Sequence, residues 1–186
     1  MKEAEILKKG GIGVIPTDTL YGIVACALHE QAVTRVYELK GRTPTKPCII
    51  LIPSVANLSA FGIFLTQERE KILSQYWPGP VSVILPCGTD VPEYLHRGTF
   101  TLAFRLPDDP QLLRFLEESG PLIAPSANPE GLPPATTTEE AKKYFGDNVD
   151  FYIDGGKRDG MPSTIIAFSE DNSVTIVRKG GLVKGV

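Results

Sequence analysis

A mixed α/β (α+β) fold is what this sequence predicts, and three features predict it. Short apolar, β-branched runs bounded by glycine or proline recur along the 186 residues. Between them stand segments with helical spacing and recognisable caps. Hairpin-length and crossover-length connections both occur, so the sheet is expected to be mixed and twisted.

In chain order, Val14-Ile15 and Ile23 to Ala25 read as the first strands. Glu30 to Lys40 carries Val33, Val36, Tyr37 and Lys40 at helical spacing and stops at Gly41. Ile49 to Ile52, Val81 to Leu85 and Leu102 to Phe104 are further strands. A helix follows from Asp109 to Ser119, with Asp109 as N-cap, Pro110 in the first turn and Gly120 as stop. Leu122 to Ala124 is a short strand, and Thr137-x-x-Glu140 is a capping-box pattern opening a helix that ends near Gly146. Thr164 to Phe168 and Val174 to Val177 flank Glu170-Asp171-Asn172 as a hairpin. With no repeat, low-complexity tract or linker, residues 1–186 are expected to form one domain.

Composition narrows the function classes. The apolar share of 42% and charged share of 22% are those of a globular chain. A net charge of −3 does not invite a nucleic-acid backbone, so any polyanion must be held by a local cluster of cations. Cys26, Cys48 and Cys87 are widely spaced and form no C-x-x-C, which predicts reduced, largely buried thiols rather than disulfides or zinc. His29 and His96 are the only histidines, and no metal-ligand set is expected. Met1 to Gly10 lacks a signal-peptide core, and no apolar run approaches the ~20 residues that span a bilayer. A soluble, cytoplasmic protein with no membrane partner is expected.

No P-loop is present: Gly155-Gly156-Lys157 is followed by Arg158. Gly10-Gly11-Ile12-Gly13 runs into Val-Ile-Pro, so a dinucleotide fingerprint fails, and there is no G-x-S-x-G. Four polar segments remain. Pro16-Thr17-Asp18-Thr19-Leu20-Tyr21-Gly22 sets hydroxyls and a carboxylate after a strand; a ligand site or an ordinary Asp/Thr turn both fit. Lys40-Gly41-Arg42-Thr43-Pro44-Thr45-Lys46-Pro47 clusters three cations on proline-stiffened backbone, as a triphosphate clamp or a solvated basic turn. Pro125-Ser126-Ala127-Asn128-Pro129-Glu130-Gly131 offers a hydroxyl and an amide two residues apart, as donors to a phosphate or carboxylate or as ordinary turn residues. Arg105 closes a strand, where it fits either a carboxylate clamp or a structural ion pair. Ser163-Thr164 and Arg178 flank the hairpin and carry no signal alone.

Taken in order, these segments resemble the YrdC/TsaC family of threonylcarbamoyl-AMP synthases over nearly the whole chain. The resemblance runs through P-T-D-T-x-Y-G at Pro16, K-x-R at Lys40 with K-P at Lys46, and W-P-G-P at Trp77. It continues through T-x-A-x-R-x-P ending at Pro107, S-x-N at Ser126, P-S-T-I at Pro162 and the arginine-glycine end from Arg178 to Gly180. It implies an open, highly twisted sheet with a large concave pocket. It also implies condensation of L-threonine, bicarbonate and ATP to threonylcarbamoyl-AMP and pyrophosphate. Other proteins would pass the threonylcarbamoyl group to an adenosine of tRNAs that read codons beginning with A.

The same resemblance implies roles. Lys40, Arg42, Lys46, Ser126 and Asn128 are the expected catalytic and ATP-binding residues, with Arg178 on the nucleotide side. Thr17, Thr19, Tyr21, Arg105 and Ser163 are expected around threonine, Arg105 at its carboxylate. Mg²⁺ is expected with ATP, without a protein carboxylate cage. In two places the chain departs from the pattern: Thr43 stands where K-x-R-P has proline, and Leu51 stands where many members carry histidine, which puts a polar threonine contact in question. The chain ends at Val186, which suits the short, single-domain type. The alternatives are a module that binds double-stranded RNA without catalysis, where the low net charge allows weak RNA binding only and salt dependence would reveal it, and the same chemistry with another acceptor.

Overall fold

Ile12–Pro16 (β1) and Tyr21–Cys26 (β2) pair antiparallel with Pro16 opposite Tyr21, so the segment from Thr17 to Leu20 is the turn of a hairpin. This is the first result of the computed structural model, which describes residues 1–181; residues 182–186, the end of the expected domain, lie outside the described residues. The remaining strands are Ile49–Leu51 (β3), Val81–Pro86 (β4), Thr101–Arg105 (β5), Leu122–Ile123 (β6), Phe151–Tyr152 (β7), Thr164–Phe168 (β8) and Val174–Arg178 (β9). They form one nine-stranded sheet in the order β7-β1-β2-β6-β3-β5-β4-β8-β9. The β1/β7, β3/β5 and β4/β8 pairs are parallel and the others antiparallel, so the expected mixed sheet is present.

The helices are Lys2–Lys8 (α1), Glu30–Lys40 (α2), Gln67–Leu73 (α3), Glu93–His96 (α4), Pro110–Ser119 (α5) and Thr138–Phe145 (α6), with a 3-10 helix at Val55–Phe61. The caps explain their limits. Gly41 ends α2 at φ 56, a left-handed conformation that glycine adopts without a side-chain clash. Asp109 accepts from the amides of Gln111 and Leu112 at 2.8 and 3.1 Å to open α5. Thr137 accepts from the Glu140 amide at 3.3 Å, as the capping box requires. The Glu140 carboxylate, however, reaches one residue further back and takes the Thr136 amide at 2.7 Å.

Sequence reading missed α1, α3, α4, the 3-10 helix and β7, all short elements that tertiary packing holds rather than periodicity. Two strands are one residue shorter than expected, at Ile52 and Ala124. Both residues still bond across the sheet, Ile52 N–H to the Arg105 carbonyl and Ala124 N–H to that of Ile49. Cys48 is buried, while Cys26 and Cys87 are half-buried, and all three are free thiols.

Alternation along the strands gives the sheet two faces with different fates. On one, Val14, Ile23, Ile50, Val83, Phe104 and Ile166 pack beneath α2, α3, α4, α6 and the 3-10 helix. Phe61 meets Phe104 edge-on there, ring centroids 5.1 Å apart. Trp77, from the W-P-G-P segment, is buried in this layer and donates its indole N–H to the Val81 carbonyl at 2.7 Å, a structural role. On the other face, α1 and α5 cover Ile15, Val24, Leu51 and Leu122, using Ala4, Leu7, Leu112, Phe115 and Leu116, with Ala124, Phe151 and Ile153 half-buried against this cluster. Past these two helices the second face is uncovered, and that opening holds the site.

Candidate functional site

The uncovered face is the floor of a cavity of about 460 Å³. Ile49, Ala103, Ile84 and Ile165 supply apolar floor from four adjacent strands. Thr101 and Arg105 lie on the same face of β5 as Ala103, ~13 Å apart at ~3.3 Å per residue. Thr99 and Thr101 line the far end, a contribution that sequence reading missed although alternation from Arg105 points to Thr101.

At the near end stands Arg105, only 4% exposed. Its Nη2 lies 3.0 Å from Asp18 Oδ1 and donates to Thr17 Oγ1 at 3.3 Å. The Asp18 contact is close but not aligned as a hydrogen bond, so both carboxylate oxygens lack a hydrogen-bonded partner among the described residues. Burial pushes the Asp18 carboxyl above the usual carboxylate range, against the pull of Arg105. Burial likewise draws Arg105 below the ordinary arginine range, against the support of Asp18. The structural ion pair and the cavity-lining arginine are thus one residue in both roles.

The hairpin turn holds its own hydroxyls. Thr17 Oγ1 donates to the Leu20 carbonyl at 2.7 Å and accepts the amides of Thr19 and Leu20 at 3.2 Å. It lies 3.1 Å from Thr19 Oγ1. This is the polar turn that the sequence allowed, and both threonines also line the cavity. The Tyr21 hydroxyl donates to the Gly156 carbonyl at 2.7 Å and accepts the Gly155 amide at 2.9 Å, pinning a loop that leads to Ser163.

Two arginines, Arg42 and Arg178, carry the cationic side. Arg42 forks back onto its own loop, Nε to the Lys46 carbonyl at 3.1 Å and Nη2 to the Pro47 carbonyl at 2.9 Å, and lines the cavity. Arg178, at the end of β9, donates to the Ser163 carbonyl at 2.8 Å. Burial, and then the nearby Arg42 guanidinium, lowers the Arg178 pKa. Ser163 Oγ lies 2.9 Å from Ser82 Oγ, and Ser126 opens onto the cavity from the strand exit at Ala124.

Around this cavity, then, the fold gathers Thr17, Thr19, Tyr21, Arg42, Arg105, Ser126, Ser163 and Arg178. It leaves Lys40, Lys46 and Asn128 off the lining. Lys40 is 3% exposed, and its ammonium donates to the main-chain carbonyls of Ser126, at 2.6 Å, and Asn128. Burial, then Arg42, pulls its pKa down to about 8. Lys46 pairs with Glu130, and Asn128 Nδ2 donates to the Pro129 and Leu132 carbonyls, both at 2.8 Å. Leu51 does not face the cavity either: it is fully buried beneath α5, so the position expected to remove a threonine contact is a packing position here. The lining contains no carboxylate, and the described residues hold no group of His, Cys, Asp or Glu that could bind a metal. No helix among them is long and apolar enough to cross a membrane.

Comparison with known proteins gives a consistent result. The profile of the Sua5/YciO/YrdC family, described as telomere recombination, matches residues 5–180. The threonylcarbamoyl-AMP synthase of Pyrococcus abyssi is 37% identical over 181 residues, covering 96% of this chain and 53% of the relative. That of Nitrosococcus oceani is 34% identical over 165 residues, covering 87% of this chain and 89% of the relative. The chain spans about half the length of the Pyrococcus abyssi and Bacillus subtilis relatives, 53% of each. Among solved structures, P. abyssi Sua5 complexed with L-threonine superimposes with a TM-score of 0.89 at 36% identity, covering 97% of this chain and 54% of that one. E. coli YciO superimposes with a TM-score of 0.86 at 27% identity, covering 98% and 90%.

Proposed function

This chain belongs to the Sua5/YciO/YrdC family, and from that premise we propose that it is a threonylcarbamoyl-AMP synthase using L-threonine, bicarbonate and ATP. The observation that carries the reading is the lining: three guanidiniums, of Arg42, Arg105 and Arg178, share one cavity with seven hydroxyl-bearing side chains and no carboxylate. Such a charge imbalance fits a ligand that brings its own anions.

The reaction divides along the cavity. At the hairpin end Arg105, backed by Asp18, takes the threonine carboxylate, while Thr17 and Thr19 surround the rest of the amino acid. The threonine amine adds to bicarbonate carbon, water leaves, and a carbamate forms. A carbamate oxygen then attacks the α-phosphorus of ATP, and the bond to the pyrophosphate oxygen breaks. Arg42 and Arg178, with Ser126 and Ser163, stabilise charge on the phosphoryl oxygens, so catalysis is positioning and electrostatics. Lys40 and Asn128 act beneath the surface, holding the 126–132 segment in shape, and Lys46 reaches the outer phosphates. Because the lining offers no carboxylate, Mg²⁺ would be held by ATP and water, and no step is assigned to it. Handing the product to tRNA falls to other proteins.

Pyrophosphate release from ATP, measured with and without L-threonine and bicarbonate, tests the reading. Release that needs both substrates supports it. Release indifferent to threonine, or none, would return the RNA-binding module to the front.

A further inference from the structure

The Glu130 carboxylate is bound the way a ligand is bound. Thr43 gives it a backbone N–H and a hydroxyl, the latter at 3.1 and 3.0 Å from the two oxygens. Lys46 Nζ lies 2.5 Å from Oε1. Lys46 first, then Thr43, hold the carboxyl down at about 2. All of these donors come from the turn between Arg42 and Pro47, both of which line the cavity although Thr43 and Lys46 do not. Glu130 sits on the segment that follows Ser126, and its own amide is tied to the Lys40 carbonyl at 2.7 Å.

An amide, a hydroxyl and an ammonium converging on oxygen are the donors of a phosphate seat. Proline at position 43 would have neither the amide nor the hydroxyl, so Thr43 creates donors that K-x-R-P lacks. The bound carboxylate is exposed enough to swing away, and left in place it would repel an incoming polyphosphate. Resting on the synthase reading of the cavity, we propose that the Thr43–Lys46 turn seats the terminal phosphate of ATP. Glu130 occupies that seat as an internal stand-in until the nucleotide displaces it.

Tripolyphosphate and AMP are the probes, titrated calorimetrically at low salt into wild type, Glu130→Gln and Thr43→Val. Glu130→Gln should bind tripolyphosphate about threefold to fivefold more tightly, a modest gain because the competing ion pair is exposed and screened by solvent. Thr43→Val should bind it more weakly by a similar factor, and neither change should move AMP, which has no terminal phosphates. Unchanged or weaker tripolyphosphate binding by Glu130→Gln overturns the proposal and makes Glu130 a clamp. Pyrophosphate release by the wild type separates the two readings. A protein that makes the adenylate while Glu130→Gln gains nothing loses only the stand-in; one with the expected affinities but no threonine-dependent release keeps the seat and loses the synthase.

Discussion

Lys40 and Ser126, 86 residues apart in sequence, are joined by a hydrogen bond of 2.6 Å from the lysine ammonium to the serine carbonyl. The end of α2 thereby fixes the segment that presents the Ser126 hydroxyl. Removing the ammonium with Lys40→Met leaves the Ser126 and Asn128 carbonyls, one part-buried and one buried, without this donor, at a cost of about 1–3 kcal/mol read by urea unfolding. The folded pKa of about 8 lies below the usual value of 10.5. A depressed lysine contributes stability that is present above its unfolded pKa and is lost as pH falls through the folded one. Activity moves the other way: the charged donor is lost above about pH 8. Threonine-dependent pyrophosphate release should therefore show an alkaline limb near that pH, displaced upward in Lys40→Arg. A limb at the same pH in Lys40→Arg would assign it to another group.

Arg42 makes its hydrogen bonds to carbonyls of its own loop and directs the remaining guanidinium surface at the cavity. Arg42→Ala should lower turnover about a hundredfold, the loss typical of one preorganised charge donor. Stability should fall by less than about 1 kcal/mol, because little buried area goes with it. Arg42→Lys should rescue poorly, since one ammonium cannot fork across both carbonyls. Parallel loss of fold and turnover would make the motif structural.

Tyr21 links the hairpin turn to the Gly155–Gly156 loop through both lone pair and proton of its hydroxyl. Tyr21→Phe keeps the ring and leaves an amide and a carbonyl unmatched. Faster amide exchange at Gly155 and a several-fold higher KM for threonine with little change in kcat are expected. Unchanged exchange would mean that the loop is held by other contacts.

How much of this was legible in the sequence depended on the range of the forces involved. Strands with alternation and helices with caps, such as α2 and α5, follow from local rules, and their limits at Gly41 and Asp109 were readable. The short α1 and α4 were not, because packing rather than propensity holds them. The polar motifs, scattered in sequence, come together in space: Thr17, Arg42, Arg105 and Arg178 share one cavity. Their internal partners were hidden. Nothing in spacing says that Lys40 would turn to carbonyls of the 126–128 segment, or that Glu130 would cap the basic turn, since both contacts span more than eighty residues. Leu51 misled for a related reason: alternation fixes its face of the sheet, but only the placement of α5 decides whether that face is covered there.

The Asp18–Arg105 pair yields a pH prediction whose sign runs against the common carboxylate case. An aspartate stabilised by a cation usually titrates low, so that acid weakens the fold. Here burial outweighs the cation and the folded pKa is raised above 3.8. A raised pKa contributes stability that is fully present below the unfolded value and is lost as pH rises through the folded one. Protonated aspartic acid and asparagine are close in shape and charge, so wild type and Asp18→Asn should be nearly equal in stability at low pH. As pH climbs past the folded pKa the wild type should fall behind, because it must hold a carboxylate with no aligned donor while asparagine holds no charge. Urea unfolding of both proteins from pH 4 to pH 8 measures the difference directly. A wild type that gains on Asp18→Asn over that range would show that the attraction between Asp18 and Arg105 exceeds the cost of burying them, and that the pair stabilises the fold as well as aiming the guanidinium.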